Sequence, residues 1–271
     1  MQFKKRLIIT LLVSFFVQIG FAQQGKILFV MSEADTLLLK KGKKKRQTGV
    51  FLNEFYLAYK AIVDKGYMVE FATPYGKKAT IDQESLKDKY WKENTTLRQE
   101  AIDFWKNDSR FMNPMTLKQA IAKQQEYLGL VIPGGQGLMV DLIYDKNIPV
   151  LLQGFAKSQK TIGLICHAPS LITTIPQTDN PFIGYEVNSV TPFEEFYIET
   201  FVMKGRPKNR KIARQLKRLG LKYKRRGPGK NYAVRDRNLV TSQNPFSGSK
   251  FNELYLQALD DYQKQVRGPK K

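Results

Sequence analysis

Only one cysteine and one histidine occur among the 271 residues. A single thiol cannot form an internal disulfide, so covalent staples are excluded and the fold must rest on its core. One thiol and one imidazole also fall short of a conventional structural zinc set, so neither a metal nor another cofactor is expected. Acidic residues are few: 24 Asp and Glu stand against 45 Lys and Arg, a formal net charge of +21. A balance so one-sided attracts anions such as nucleic acid, acidic lipid or a cell-wall polymer. No aromatic stacking set or nucleic-acid motif accompanies the basic stretches, so they read first as a solvated surface. No internal repeat is visible. No segment beyond residue 21 is long and apolar enough to span a bilayer.

What is present begins with a targeting signal. Lys4, Lys5 and Arg6 precede an apolar run from Leu7 to Phe21, and Gly20-Phe-Ala22 supplies small residues before Gln23. This pattern predicts a secretory signal peptide over residues 1–22, cleaved after Ala22, and hence an exported protein, periplasmic or secreted. No cysteine follows the run, so no lipoprotein anchor is expected, and no membrane anchor remains after cleavage.

Residues 23–271 suffice for a single α/β domain, with 42% apolar residues available for a core. Lys26–Met31, Tyr67–Ala72, Tyr127–Pro133 and Lys160–Ile165 read as strands. Val50–Val63 and Ile148–Ser158 read as helices. Such alternation of apolar strands with helices predicts a parallel sheet covered on both faces. Residues 75–125 form a polar insertion whose Trp91, Phe104, Trp105 and Phe111 predict a helical cap. Two stretches concentrate the charge. Lys40–Arg46 is placed in an early loop. Lys204–Lys230 holds thirteen basic residues and no acidic one; Pro207 can open a helix there and Gly220 close it. Ile212, Leu216 and Leu219 would then face inward, with Arg210, Lys211, Arg214, Lys217 and Arg218 outward as a candidate polyanion contact.

The lone Cys and His are adjacent, in Thr161-Ile-Gly-Leu-Ile-Cys-His-Ala-Pro169. An apolar strand that runs into a turn and a helix is the pattern of a nucleophile elbow, with Cys166 in place of serine. Helix-start N–H groups predict a lowered thiol pKa. A buried structural cysteine beside a chance histidine is the alternative. Pro133-Gly-Gly-Gln-Gly137 ends a neighbouring strand, and its glycines let the backbone aim N–H groups at an oxyanion. Glu54, in Thr48-Gly-Val-Phe-Leu-Asn-Glu-Phe-Tyr56, begins the first helix. Against the thiol its carboxyl would be desolvated and able to carry a proton; as an isolated residue it would be a surface charge.

Taken in order, Lys26–Met31, Thr48–Glu54, the Gly66-Tyr-Met-Val-Glu-Phe-Ala-Thr-Pro-Tyr-Gly76 segment, Val131–Gly137 and Ile165–Pro169 resemble the ThiJ/PfpI superfamily over about residues 26–265. The resemblance is to its glyoxalase III and heat-shock chaperone branch. It implies a class I glutamine amidotransferase-like fold: a flavodoxin-like three-layer sandwich with a mainly parallel sheet, a nucleophile elbow and a helical cap insertion. It also implies Cys166 as nucleophile, His167 beside it and Glu54 as the proton-sharing carboxylate. Gly134, Gly135 and Gln136 would form the substrate and oxyanion region, with the His167 N–H. The family's third acid falls in Thr191-Pro-Phe-Glu-Glu195, at Glu195 or else Glu194. The implied activity converts a small reactive carbonyl such as methylglyoxal to a 2-hydroxy acid without a cofactor, and the implied assembly is a homodimer. A holdase chaperone, a Cys-dependent amidase or peptidase, and a noncatalytic anion-binding envelope protein are the alternatives on the same fold. Gln136, Ala168 and the shortened Pro192-Phe193 segment depart from the family pattern.

Overall fold

The structure, a computed structural model, describes residues 24–92 and 94–267. The signal peptide expected over residues 1–22 lies outside the described residues.

The strands are β1 (Lys26–Val30), β2 (Thr36–Leu39), β3 (Lys44–Gln47), β4 (Met68–Thr73), β5 (Met115–Thr116) and β6 (Tyr127–Ile132). After them come β7 (Thr161–Ile165), β8 (Glu186–Val187), β9 (Lys222–Tyr223), β10 (Ala233–Asp236) and β11 (Leu239–Ser242). The α-helices are α1 (Leu52–Asp64), α2 (Thr95–Asn107), α3 (Ser109–Met112), α4 (Leu117–Ala122), α5 (Asn147–Lys157), α6 (Pro192–Tyr197), α7 (Ile212–Arg218) and α8 (Gly248–Arg267). A seven-stranded sheet runs in the order β10-β11-β7-β6-β1-β4-β5. Only the β10–β11 pair is antiparallel. The chain moves outward from β1 to β4 and β5, then returns to β6 on the other side of β1. Strand order therefore reverses between β1 and β6, and the crevice at their carboxyl ends is where such sheets hold ligands.

Burial explains the strand identities. Ile27, Leu28, Phe29 and Val30 are fully buried, as expected of a parallel strand covered on both faces. Helices α1 and α8 pack together on one face, and α4 and α5 pack together across the sheet. Leu52, Phe55, Tyr56, Tyr59 and Ile62 give α1 a buried stripe at helical spacing. Phe55 is wholly buried, and such a side chain contributes about 1.5–3 kcal/mol.

The insertion is helical, but its aromatics extend the core. Phe104 lies 4.4 Å from Tyr59 and Phe111 lies 5.2 Å from Phe55, ring centre to ring centre. Helices α2 and α3 thus thicken the α1 side, while the segment just before α2 reaches the crevice.

Two basic segments depart from expectation. Lys40–Arg46 is not a loop: it contains the turn and most of one strand of the antiparallel β2–β3 hairpin. Leu37 and Leu39 are buried on one side of β2, against Met203, while the lysines of the turn face solvent. In the second segment α7 starts at Ile212, after Lys211 in a left-handed conformation, and Pro207 instead bridges to Leu39. Ile212 and Leu216 are buried, and Arg214, Lys217 and Arg218 are exposed as expected. Arg210 is turned inward, its Nε donating to Glu199 Oε1 at 2.5 Å and its Nη2 to Oε2. Glu199 is 3% exposed, so without that guanidinium a buried carboxylate would stand unpaired, at a cost of several kcal/mol. Among the described residues no helix is long and apolar enough to cross a membrane.

Candidate active site

Strand β7 is buried throughout and ends at Cys166, whose φ of +58° is left-handed. A non-glycine residue holds that conformation only where its surroundings enforce it. Here the Cys166 N–H donates to Ser242 O at 2.8 Å, and Cys166 O accepts from the Val190 N–H at 2.9 Å. With both peptide groups tied down, the side chain is thrown out of the sheet at its carboxyl end. The segment that follows, Ala168–Thr174, is a 3-10 helix with Pro169 in its first turn, not the α-helix the elbow pattern suggests.

His167 is 4% exposed, and its Nδ1 lies 3.2 Å from Cys166 Sγ. Its Nε2 lies 2.8 Å from the amide nitrogen of Gln136. An amide nitrogen only donates, so Nε2 must be the acceptor and the ring proton sits on Nδ1, facing sulfur. Burial lowers the His167 pKa to about 4, so the ring is neutral at physiological pH. It serves the sulfur as a donor, not as a base. Gln136, one of the departures from the family pattern, is thus the residue that orients this imidazole.

Glu54 stands in the first turn of α1 and is 3% exposed. A Cβ on Gly134 would fall 2.5 Å from Glu54 Oε2 and 2.7 Å from Cys166 Cβ, so only glycine leaves room for carboxyl and thiol together. The carboxyl feels the thiol and the Gly134 N–H beside it, yet neither oxygen has a partner in hydrogen-bonding geometry. Burial therefore dominates and raises its pKa from 4.5 to about 8. The thiol is pushed the same way, well above its ordinary value, first by burial and then by the Glu54 and Glu194 carboxylates. This overturns the lowered thiol pKa expected from the elbow. The His167 N–H favours the thiolate but is outweighed. Acid and thiol form a coupled pair that is mostly protonated at neutral pH.

Gly135 has a φ of +110° and lies against the backbone of Gly49 and Phe51, too close for a side chain. Neither its N–H nor that of His167 donates to a backbone carbonyl among the described residues. The Gly135 N–H is available for an oxyanion, and the His167 N–H, which faces the sulfur, lies beside it. The two acids of α6 diverge. Glu194 lines the cavity, and its carboxylate accepts from Thr191 N, Gly229 N and Asn244 Nδ2, each at 2.8 Å. Glu195 is buried away from it and accepts from Lys211 N at 2.6 Å, capping α7. The structure therefore brings together Cys166, His167, Gly135, Gln136 and Glu194 around one cavity, with Glu54 and Gly134 beneath the thiol. Glu195 does not join them. Among the described residues no cluster of three or more His, Cys, Asp or Glu is placed to hold a metal.

The cavity measures about 390 Å³, with Cys166 and His167 in its wall. Phe51, Tyr90 and Phe246 form an aromatic side, with Phe51–Tyr90 ring centres 4.8 Å apart and Tyr90–Phe246 5.7 Å apart. Sequence reading missed this wall. Phe51 lay within a quoted motif, but no spacing links it to Tyr90 and Phe246, which arrive from an insertion and from the last loop before α8.

Residues 46–192 match the sequence pattern of a family described as ThiJ/PfpI family-like. The chain is similar to the protein/nucleic acid deglycase HchA of Escherichia coli, 28% identical over 112 residues. That stretch covers 40% of this chain, and the chain spans only 40% of the length of this curated relative. Among solved structures, the rapid encystment protein of 24 kDa from Francisella tularensis superposes with a TM-score of 0.70 at 22% identity, covering 87% of this chain and 99% of that one. Glyoxalase III from Candida albicans superposes with a TM-score of 0.66 at 20% identity, covering 87% and 98%. These two likenesses concern the fold. Like them, the chain has an α/β three-layer architecture around a mostly parallel sheet.

Proposed function

The chain belongs to the ThiJ/PfpI-like family, and from that premise we propose that it is a glyoxalase III-like enzyme needing no cofactor. It would convert a 2-oxoaldehyde to a 2-hydroxy acid, as methylglyoxal to lactate. The observation that carries this reading is the pairing of Cys166 with the buried, proton-holding carboxyl of Glu54 at the wall of an apolar cavity.

The chemistry balances without an external oxidant. In the reactive form of the pair, one proton is shared by carboxyl and thiol. Sulfur bonds to the aldehyde carbon, the C=O π pair moves to oxygen, and that oxygen takes the proton, giving a hemithioacetal. The Glu54 carboxylate then removes the hydrogen from this carbon. The electron pair moves toward the neighbouring ketone, giving an enediolate steadied by the Gly135 and His167 N–H groups. Return of the proton to the second carbon, with the hydroxyl proton of the first carbon passing to the oxygen of the second, leaves a thioester and a hydroxyl. Water cleaves the thioester and frees the thiol. One carbon is oxidised, its neighbour is reduced, and one water is consumed. A pKa near 8 suits a carboxyl that must both give and take a proton.

Amide hydrolysis would also need an acid to protonate the leaving amine; His167, with a pKa near 4, holds no extra proton to give at neutral pH, so Glu54 would have to supply it. The reading is tested with a panel of 2-oxoaldehydes, amides and peptides on wild type and Cys166→Ala. The expected result is 2-hydroxy acid from the aldehydes alone, with a loss of at least about a thousandfold in the variant. Hydrolysis of amides, or aldehyde turnover that survives the substitution, would refute it.

We also propose export, on the pattern of residues 1–22 alone. Mass spectrometry of the secreted or periplasmic fraction should find a chain beginning at Gln23; an intact Met1 form confined to the cytoplasm would contradict this.

A further inference from the structure

The cavity is much larger than the substrate that the family resemblance suggests. At about 390 Å³ it has room for roughly thirteen waters at about 30 Å³ each. Methylglyoxal, with a single methyl beyond its two carbonyls, would leave most of that volume wet.

The walls are built for something else. Beyond the thiol the lining is mainly apolar. Phe51, Tyr90 and Phe246 form one side, and Val190, Phe193 and Ile198 add further apolar surface to the lining. The lining charges are already engaged. Arg46 pairs with Asp82 at 3.1 Å, and Lys89 with Glu84 at 2.9 Å. Glu194 already accepts from four donors, Thr191 N, Gly229 N, Gln243 Nε2 and Asn244 Nδ2. A charged group on the far end of a substrate would meet side chains whose charge is already largely compensated, whereas an aryl or alkyl group would find ring faces and methyls. Polar demand is confined to the reacting end. There the Gly135 and His167 N–H groups lack a backbone partner, and Gln136 Oε1, buried in the lining, accepts no hydrogen bond.

Resting on the glyoxalase-type reading above, we propose that the substrates are 2-oxoaldehydes carrying a bulky, uncharged apolar substituent, aryl or medium-chain alkyl, held by the Phe51–Tyr90–Phe246 wall. Binding energy from that remote group is realised while the carbonyl reacts, so discrimination appears in kcat/KM.

The test compares initial rates with methylglyoxal, 2-oxooctanal and phenylglyoxal. A separate assay needs no turnover: protection of Cys166 from iodoacetamide by acetophenone, with acetone as the small control. The expected results are a kcat/KM for the two bulky aldehydes about a hundredfold above that for methylglyoxal, and slowed alkylation with acetophenone but not acetone. Phe246→Ala removes a half-buried ring, and it should shrink the aldehyde ratio at least about tenfold. Equal or better use of methylglyoxal, with no protection by acetophenone, would overturn the proposal and leave the glyoxalase reading intact. Protection by acetophenone with none of the aldehydes turned over would uphold the apolar site and sink the glyoxalase reading.

Discussion

Glu54→Gln is expected to yield a protein that is more stable at pH 8 than wild type and almost inactive. In the folded chain the carboxyl keeps its proton until about pH 8, whereas the ordinary value is 4.5. Between those values the unfolded state has released a proton that the folded state still holds. Wild-type stability therefore falls as pH rises from about 4.5 to about 8. Below that window the group contributes no pH dependence, and above it the loss is complete. Three and a half units at about 1.36 kcal/mol each set an upper limit of about 5 kcal/mol. Glutamine keeps the shape and does not titrate, so the variant's curve should lack this slope. Urea unfolding of both proteins at pH 5 and pH 8 measures the difference directly. Parallel pH dependence would mean that Glu54 ionises normally. The same substitution removes the proton carrier, so turnover should drop by about a hundred- to ten-thousandfold. Stability and activity moving in opposite directions is an outcome that general damage to the fold would not produce.

The second large effect concerns the thiol. Alkylation of wild-type Cys166 by iodoacetamide should be slow at pH 6 and 7 and rise through pH 8 without an earlier plateau. The acid–thiol pair loses its first proton only near the raised Glu54 value, and the buried thiol lies higher still. A preformed thiolate–imidazolium pair would instead give a plateau from about pH 5, but His167 loses its charge near pH 4. In Glu54→Gln the neighbouring negative charge is gone, so the thiol pKa should fall. Each unit of that fall raises the thiolate fraction about tenfold at a pH below it. The variant should thus be alkylated faster than wild type at pH 9, where wild-type Glu54 is ionised, while turning over far more slowly. A wild-type plateau below pH 7, or slower alkylation in the variant, would show that the carboxyl does not govern the sulfur.

Much of this arrangement was legible in the sequence, because the chemistry sits where strands end. Cys166 and His167 follow β7 directly, and Gly134–Gln136 follow β6, so contiguous motifs mark the carboxyl edge of the sheet. The choice between Glu194 and Glu195 was not legible. Neighbours on a helix point about 100° apart, and nothing in Thr-Pro-Phe-Glu-Glu says which one faces the cavity and which one caps α7. The direction of the thiol pKa was misread for a related reason. The elbow pattern counts the nearby N–H groups, but it does not show the burial and the carboxylates that outweigh them. Lysines obscured the β2–β3 hairpin, where only Leu37 and Leu39 mark an inner face. Arg210 looked like one more surface cation because its partner, Glu199, belongs to the preceding helical turn and shares no motif with it.

The left-handed Cys166 and the buried Glu54 also bear on the chain's history. Each lowers stability where it stands: one through backbone strain, the other through a carboxyl buried in a mainly apolar setting. A lineage released from their chemistry would drift toward glycine at 166 and toward an amide or apolar residue at 54, since most such changes relieve the fold. Both liabilities persist here side by side, with Gly134 keeping the space between them open. On the glyoxalase-type reading proposed above, these two features are what the reacting thiol costs the fold.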